Sequence, residues 1–169
     1  MSSNNITTAM KQIDINVPVQ VYDLDELPSQ DRQLLEQARQ ATYTSYSPYS
    51  KFKVGAAILL DNGETLSGSN QENAAYSAGT CAERATCFYA HARYPEAKFD
   101  KIAITARNED GDFVTEPVSP CGVCRQALLE FETLAGHDVP VILGGRDKAY
   151  IVPSVRSLLP LAFITYVGE

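Results

Sequence analysis

Cys81-Ala82-Glu83 is followed, much later in the chain, by Pro120-Cys121-Gly122-Val123-Cys124, and no other feature restricts the fold as tightly. Cys121 and Cys124, at i and i+3, fall on one face of a helix and within a turn, close enough to share an ion. Thr80 reads as the N-cap of one helix, and Ser119 followed by Pro120 at the first helical position opens a second. All three thiols then sit in or beside a first turn, where unpaired N–H groups and the positive end of the helix dipole favour anions and lower a thiol's pKa. An ion shared by all three requires two helix starts to meet.

The chain has four cysteines. Cys81 and Cys87 share one predicted helix but point about 120° apart, separated by roughly 9 Å of rise, so they cannot both hold one ion. Cys87 reads as a small buried hydrophobe. Three ligands remain, Cys81, Cys121 and Cys124, and a zinc ion with three protein ligands keeps its fourth tetrahedral position open, as catalytic sites do. Three thiolates leave such a centre with net negative charge, which weakens its power to acidify water. Arg84, at the same helix start as Cys81, is placed to donate hydrogen bonds to a ligand sulfur and offset that charge.

Glu83 has two readings. Thr80-Cys81-Ala82-Glu83 fits a capping box, in which the glutamate bonds back to the cap N–H. Two residues from a metal ligand, the same carboxylate can instead project toward the open coordination position as a proton carrier, and the second cysteine pair favours this. The two histidines, His91 and His137, lie toward helix C-termini, where a cation complements the dipole, and neither is expected to ligate.

Cys81-Ala82-Glu83-Arg84 together with Pro120-Cys121-x-x-Cys124-Arg125 resembles the cytidine deaminases. The resemblance extends to Tyr46-Ser47-Pro48-Tyr49-Ser50-Lys51-Phe52-Lys53-Val54-Gly55-Ala56-Ala57, to Gly68-Ser69-Asn70-Gln71-Glu72-Asn73-Ala74, and to Ser157-Leu158-Leu159-Pro160-Leu161-Ala162-Phe163. It covers roughly residues 29–163. It implies one zinc per subunit and hydrolytic deamination of cytidine or deoxycytidine to the uridine compound plus ammonia, in pyrimidine salvage. That chemistry delivers hydroxide to the amine-bearing ring carbon and protons to the adjacent ring nitrogen and the departing amine, and one mobile carboxylate can carry those protons. Glu83 is the residue expected to do so.

The resemblance also implies substrate contacts. The backbone of Ala82 would hold the base carbonyl, the carbonyl of Ser119 would accept from the amine, and Phe52 would lie beside the pyrimidine. Asn70 and Glu72 in isolation read as a polar turn; the family's Asn-x-Glu pair binds ribose hydroxyls. Blasticidin-type deaminases share the metal motifs but lack that pair and the arginine after the glutamate. In tetrameric members the late phenylalanine, here Phe163, reaches a neighbouring subunit's pocket, and Tyr76 is a candidate subunit contact. A homotetramer with sites completed by neighbours is the expected assembly.

Hydrophobic periodicity supplies the scaffold. Leu34, Leu35, Ala38 and Ala41 predict a helix over residues 29–44, and strands at 52–60 and 64–69 flank a hairpin turn at Asp61-Asn62-Gly63. Further elements are expected as helices over 80–93, 120–134 and 153–159, and strands over 101–106, 139–143 and 150–152. The expected class is α/β: a three-layer α-β-α sandwich with a mixed sheet of about five strands, both metal motifs opening helices at the strands' carboxyl ends. Residues 1–28 are polar and broken by Pro18 and Pro28, and are expected as a partly ordered extension to a catalytic domain at 29–169.

A formal net charge of -7 with no long basic run disfavours a polynucleotide substrate, which needs a cationic surface, and points to a free nucleoside. No apolar run approaches a membrane span, the N-terminus lacks signal-peptide or transit character, and thiols reserved for metal suit a reducing compartment, so the cytoplasm is expected. Two other classes compete: a structural zinc module closed by a fourth ligand, and a Cys-x-x-Cys redox protein, which would leave Cys81 and Glu83 without a role.

Overall fold

The structure, a computed structural model, describes residues 11–164. Its strands are β1 (Gln20–Asp23), β2 (Lys53–Leu60), β3 (Thr65–Ser69), β4 (Phe99–Arg107), β5 (Val141–Gly144) and β6 (Lys148–Val152), and its helices α1 (Ser29–Ala41), α2 (Ala82–Arg93) and α3 (Gly122–Ala135). The strands form one sheet in the order β1-β6-β5-β4-β2-β3, with β4 and β5 parallel and every other pair antiparallel. Its six strands exceed the expected five or so, because β1 pairs along β6 from within the segment read as an extension. Four residues with Pro18 close by carry too little alternation to signal a strand; pairing with β6 supplies what local pattern does not.

Two cores follow from strand alternation. In β4, Ile102 and Ile104 face α2 and α3, while Ala103 faces α1 together with Ala57 and Ile142. Helix α1 presents Leu34, Leu35 and Ala38 to that second face. Close approach of α1 to the sheet depends on Gly55, where any Cβ would collide with the Ala38 carbonyl. The β2–β3 turn needs Gly63, which sits at a φ of 84°. The expected helix over 153–159 is only a 3-10 turn, Arg156–Leu158, and α1 gives way to another 3-10 turn at Thr42–Thr44.

This topology creates the site. β3 and β4 both run antiparallel to β2, so their carboxyl ends, Ser69 and Arg107, lie at the same end of the sheet beside the start of β2. α2 and α3 follow those two strands in sequence and pack against each other on one face. Gln71 and Thr80 exchange backbone hydrogen bonds at 2.9 Å in both directions, which folds the intervening loop back and returns the chain to Cys81.

Candidate metal centre

Cys81 and Cys121 are themselves the N-caps of α2 and α3, each in extended conformation, and Cys124 is the third residue of α3. Thr80 is therefore not the cap of α2, because its backbone is taken by Gln71, and Pro120 lies outside α3 rather than at its first position. Neither helix start has a side-chain cap hydrogen bond. A cysteine thus holds each cap position, where an oxygen-bearing side chain ordinarily stands, at the end of the helix whose unpaired N–H groups favour an anion.

The three sulfurs lie within 4.8 Å of one another, with Cys81 Sγ and Cys121 Sγ 4.0 Å apart. Tetrahedral zinc–thiolate bonds of 2.3 Å place sulfurs about 3.8 Å apart, so the donor set fits a zinc ion. Among the described residues no fourth Cys, His, Asp or Glu joins the cluster. Cys87 is fully buried in the α2–α3 core, where burial pushes its thiol up to about 12, and its Sγ turns to the Arg84 carbonyl at 3.5 Å. The closed four-sulfur arrangement is thereby removed. Cys87→Ala is expected to keep its full zinc content and to lose about 1 kcal/mol of stability from the vacated volume, measurable by metal analysis and urea denaturation.

Charge is arranged around the sulfurs. The Cys81 thiol is lowered to about 5, first because the Cys124 thiol donates to it and then because Arg84 and Cys121 do so. Cys124 is pushed upward as the donor in that bond and by burial. Arg84 is held more firmly protonated by its bonds to the sulfurs of Cys81 and Cys124, and its Nε is buried without a partner. Glu83 is 4% exposed, and burial is the main cause that raises its carboxyl above the usual range. One residue of difference in the helix start matters here: with Cys81 as cap, Glu83 is the second helical residue, and the capping box is not formed.

A cavity of about 570 Å3 opens over this centre, with Phe52, Asn70, Glu72 and Ser119 in its wall beside Cys81 and Glu83. That size lies in the range of small-molecule sites. Tyr49, Tyr76, Val54 and Ile104 also line it, none of them expected there from the sequence. Tyr49 and Val54 sit within the Tyr46–Ala57 run that marked the resemblance, whereas Ile104 is a strand residue with no signal to distinguish it from core. Ala82 is fully buried as the first residue of α2. Phe163 is not in this wall; it is 57% exposed, and its carbonyl accepts from Gln126 Nε2 at 2.9 Å. His91 packs against Phe131 at 5.4 Å and His137 contacts the Asp138 carbonyl, both outside the centre.

Asn70 organises the wall. Its Oδ1 accepts from Val54 N–H at 2.8 Å and Ser45 Oγ at 2.6 Å, and its Nδ2 donates to the Phe52 carbonyl at 2.9 Å. Glu72 Oε2 accepts from the backbone N–H groups of Tyr49 at 2.8 Å and Ser50 at 3.2 Å. The two side chains thus pin the 45–54 segment that carries Phe52. Asn70→Ala should lower stability by about 2 kcal/mol, since it strands partly buried backbone groups, a loss that denaturation can read.

The family described as "Cytidine and deoxycytidylate deaminase zinc-binding region" matches residues 28–135, which contain all three clustered sulfurs, Glu83 and Arg84. This chain is 41% identical over 134 residues to a cytidine deaminase of Halalkalibacterium halodurans, covering 79% of this chain and 94% of that one. The chain belongs to the cytidine deaminase family. A second member, from Sporosarcina psychrophila, is 39% identical over 140 residues, covering 80% of this chain and 96% of its own length. Among solved cytidine deaminases, the Burkholderia pseudomallei structure superposes with a TM-score of 0.65 at 35% identity, covering 81% of this chain and all of that one. The Mycobacterium tuberculosis structure gives 0.63 at 32% identity, covering 79% and 96%.

Family membership and the donor chemistry agree on zinc, since thiolates suit that ion. The strand β1, at residues 20–23, precedes the family match and forms one edge of the sheet. Among the described residues, no helix is long and apolar enough to cross a membrane.

Proposed function

We propose that this chain hydrolyses free cytidine and/or deoxycytidine to the corresponding uridine compound with release of ammonia, with Glu83 as proton carrier and Cys81, Cys121 and Cys124 as ligands of one zinc per subunit. The observation that carries this reading is the burial of Glu83 beside an open three-sulfur cluster at the base of a nucleoside-sized cavity. Zinc held there supplies the Lewis acidity that makes water a nucleophile near neutral pH. Glu83 takes the proton released by the attacking water and passes it to the ring nitrogen beside the amine-bearing carbon. It then takes the second proton from the hydroxyl now on that carbon and gives it to the amine, so that the carbon–nitrogen bond breaks, a carbonyl forms and ammonia leaves. Its raised pKa suits a group that must both accept and give a proton in one cycle. Arg84, bonded to Cys81 and Cys124, offsets thiolate charge.

Substrate contacts follow from the remaining valences. Both acceptor sites of Asn70 Oδ1 are taken, but one N–H of its Nδ2 is left to donate. Glu72 is kept ionised, first by a hydrogen bond from the Ser50 side chain, and its Oε1 retains room to accept. A donor and an acceptor side by side match one sugar hydroxyl, which can accept from Asn70 and donate to Glu72. Phe52 offers a face to the base, the Ala82 N–H meets its carbonyl oxygen, and the Ser119 carbonyl accepts from the amine. Asn70→Ala is then expected to raise the KM for cytidine as well as lower stability; a cytidine KM equal to wild type would remove the sugar contact.

Residues 29–169 form the catalytic unit in this reading, and 1–28 an extension. We place the protein in the cytoplasm as a homotetramer, with Phe163 entering a neighbour's pocket; sedimentation of a Phe163→Ala protein beside a kinetic assay tests the last point. The formal charge of -7 supports a free nucleoside over a polynucleotide. Purified zinc-loaded protein should abolish the cytidine ultraviolet absorbance and release ammonia in equal amount, while a cytosine-containing oligonucleotide stays intact. Turnover of the oligonucleotide but not of either nucleoside would reverse the assignment.

A further inference from the structure

Arg125, directly after the last cysteine, has no part in the chemistry above, yet its bonds are specific. Its Nε donates to the Pro120 carbonyl at 2.8 Å, and a terminal guanidinium nitrogen donates to the Leu158 carbonyl at 2.7 Å. Pro120 is buried, so its carbonyl needs a partner within the protein. The backbone N–H of Arg125 meanwhile closes the first turn of α3 on the Cys121 carbonyl at 2.9 Å. One residue therefore holds the two successive carbonyls that lead into α3, one of them that of Cys121 itself. The next side chain, Gln126, donates to the Phe163 carbonyl at 2.9 Å.

The segment so held is short of regular structure: it contains one 3-10 turn, Arg156–Leu158, and then runs on through Pro160 to Phe163. Its beginning is anchored separately, since the buried Glu132 carboxylate accepts from the N–H groups of Val155 at 2.7 Å and Arg156 at 3.0 Å. Past that anchor, Arg125 and Gln126 are two further ties between α3 and the segment, and Arg125 alone also reaches the turn bearing Cys121. A planar guanidinium can donate to two carbonyls from fixed directions, which an ammonium on a flexible stem does not reproduce.

We propose that Arg125 is a positioning residue that locks the Cys121 turn to the C-terminal segment, so that the grip on zinc and the placement of Phe163 are set together. The identity of the ion and the use of Phe163 rest on the deaminase reading; the clamp itself does not.

The test uses the zinc-loaded full chain and its Arg125→Ala, Arg125→Lys and Gln126→Ala variants. The readouts are zinc release to a chromogenic chelator, the sulfur-to-metal absorption band of the cobalt-substituted protein, and proteolytic cuts within residues 157–164. Arg125→Ala should release zinc about 10- to 100-fold faster, as loss of a partner behind a ligand does, shift the cobalt band, and be cut sooner. Glu132 still anchors the segment's start, so the global unfolding midpoint should move little. Arg125→Lys should resemble Arg125→Ala, and it carries the same readouts if the alanine protein does not fold. Gln126→Ala should speed proteolysis alone, with zinc release at the wild-type rate. Wild-type zinc release and cobalt spectrum in Arg125→Ala, or their full restoration by lysine, would overturn the proposal. Failure of wild-type protein to deaminate cytidine would sink the functional reading while leaving these readouts to judge the clamp.

Discussion

Glu83→Gln is expected to retain one zinc per chain and to lose turnover by about a hundred- to ten-thousand-fold, the range for a positioned proton carrier. The substitution keeps size and hydrogen-bonding capacity, so the packing around this nearly buried side chain survives. What disappears is the ability to take and return a proton. Because the capping box is absent, loss of the charge costs the start of α2 no cap hydrogen bond. Steady-state kinetics beside metal analysis checks this: low kcat with full zinc supports the role, and undiminished kcat removes Glu83 from the mechanism. A protein that loses its zinc as well would assign Glu83 to holding the centre.

Cys124→Ala should have the opposite pattern, with zinc and turnover lost together. Cys124 is fully buried in the first turn of α3, its sulfur within 4.8 Å of those of Cys81 and Cys121. Removing it leaves two sulfurs and a void, and zinc affinity should fall by about 100-fold or more, beyond what the loss of an outer partner costs. Dialysed protein should then contain little zinc and show no measurable deamination. The contrast with Cys87→Ala, an equally buried cysteine on α2, separates a ligand effect from a packing effect, because both changes remove one buried sulfur. Equal zinc retention in the two proteins would disqualify Cys124 as a ligand.

Much of this arrangement was legible in the sequence because its signals are local. The i, i+3 spacing brings Cys121 and Cys124 to one helix start, and Cys87, six residues on from Cys81, lies too far along α2 to join them; that Cys81 and Cys121 are extended caps rather than helical residues was not visible in the spacing. The three-layer order came from the alternation of elements. The exact cap did not, since Thr80 is drawn off by a backbone exchange with Gln71 that no local pattern announces. The same holds for β1, whose partner β6 lies far along the chain. Asn70 was visible as part of a motif, but its hold on Val54, Ser45 and the Phe52 carbonyl depends on a loop returning beside the start of β2. Arg125 likewise looked like the last letter of a metal motif until the Leu158 carbonyl came within its reach.

The central claim is that cytidine hydrolysis belongs to a single zinc held by Cys81, Cys121 and Cys124 with Glu83 beside it. Titrating metal-stripped protein with zinc while following the loss of cytidine absorbance tests this most directly. Activity should rise in proportion to added zinc and level off at one equivalent per chain. Full turnover before any zinc is added, or none after one equivalent has bound, would contradict it.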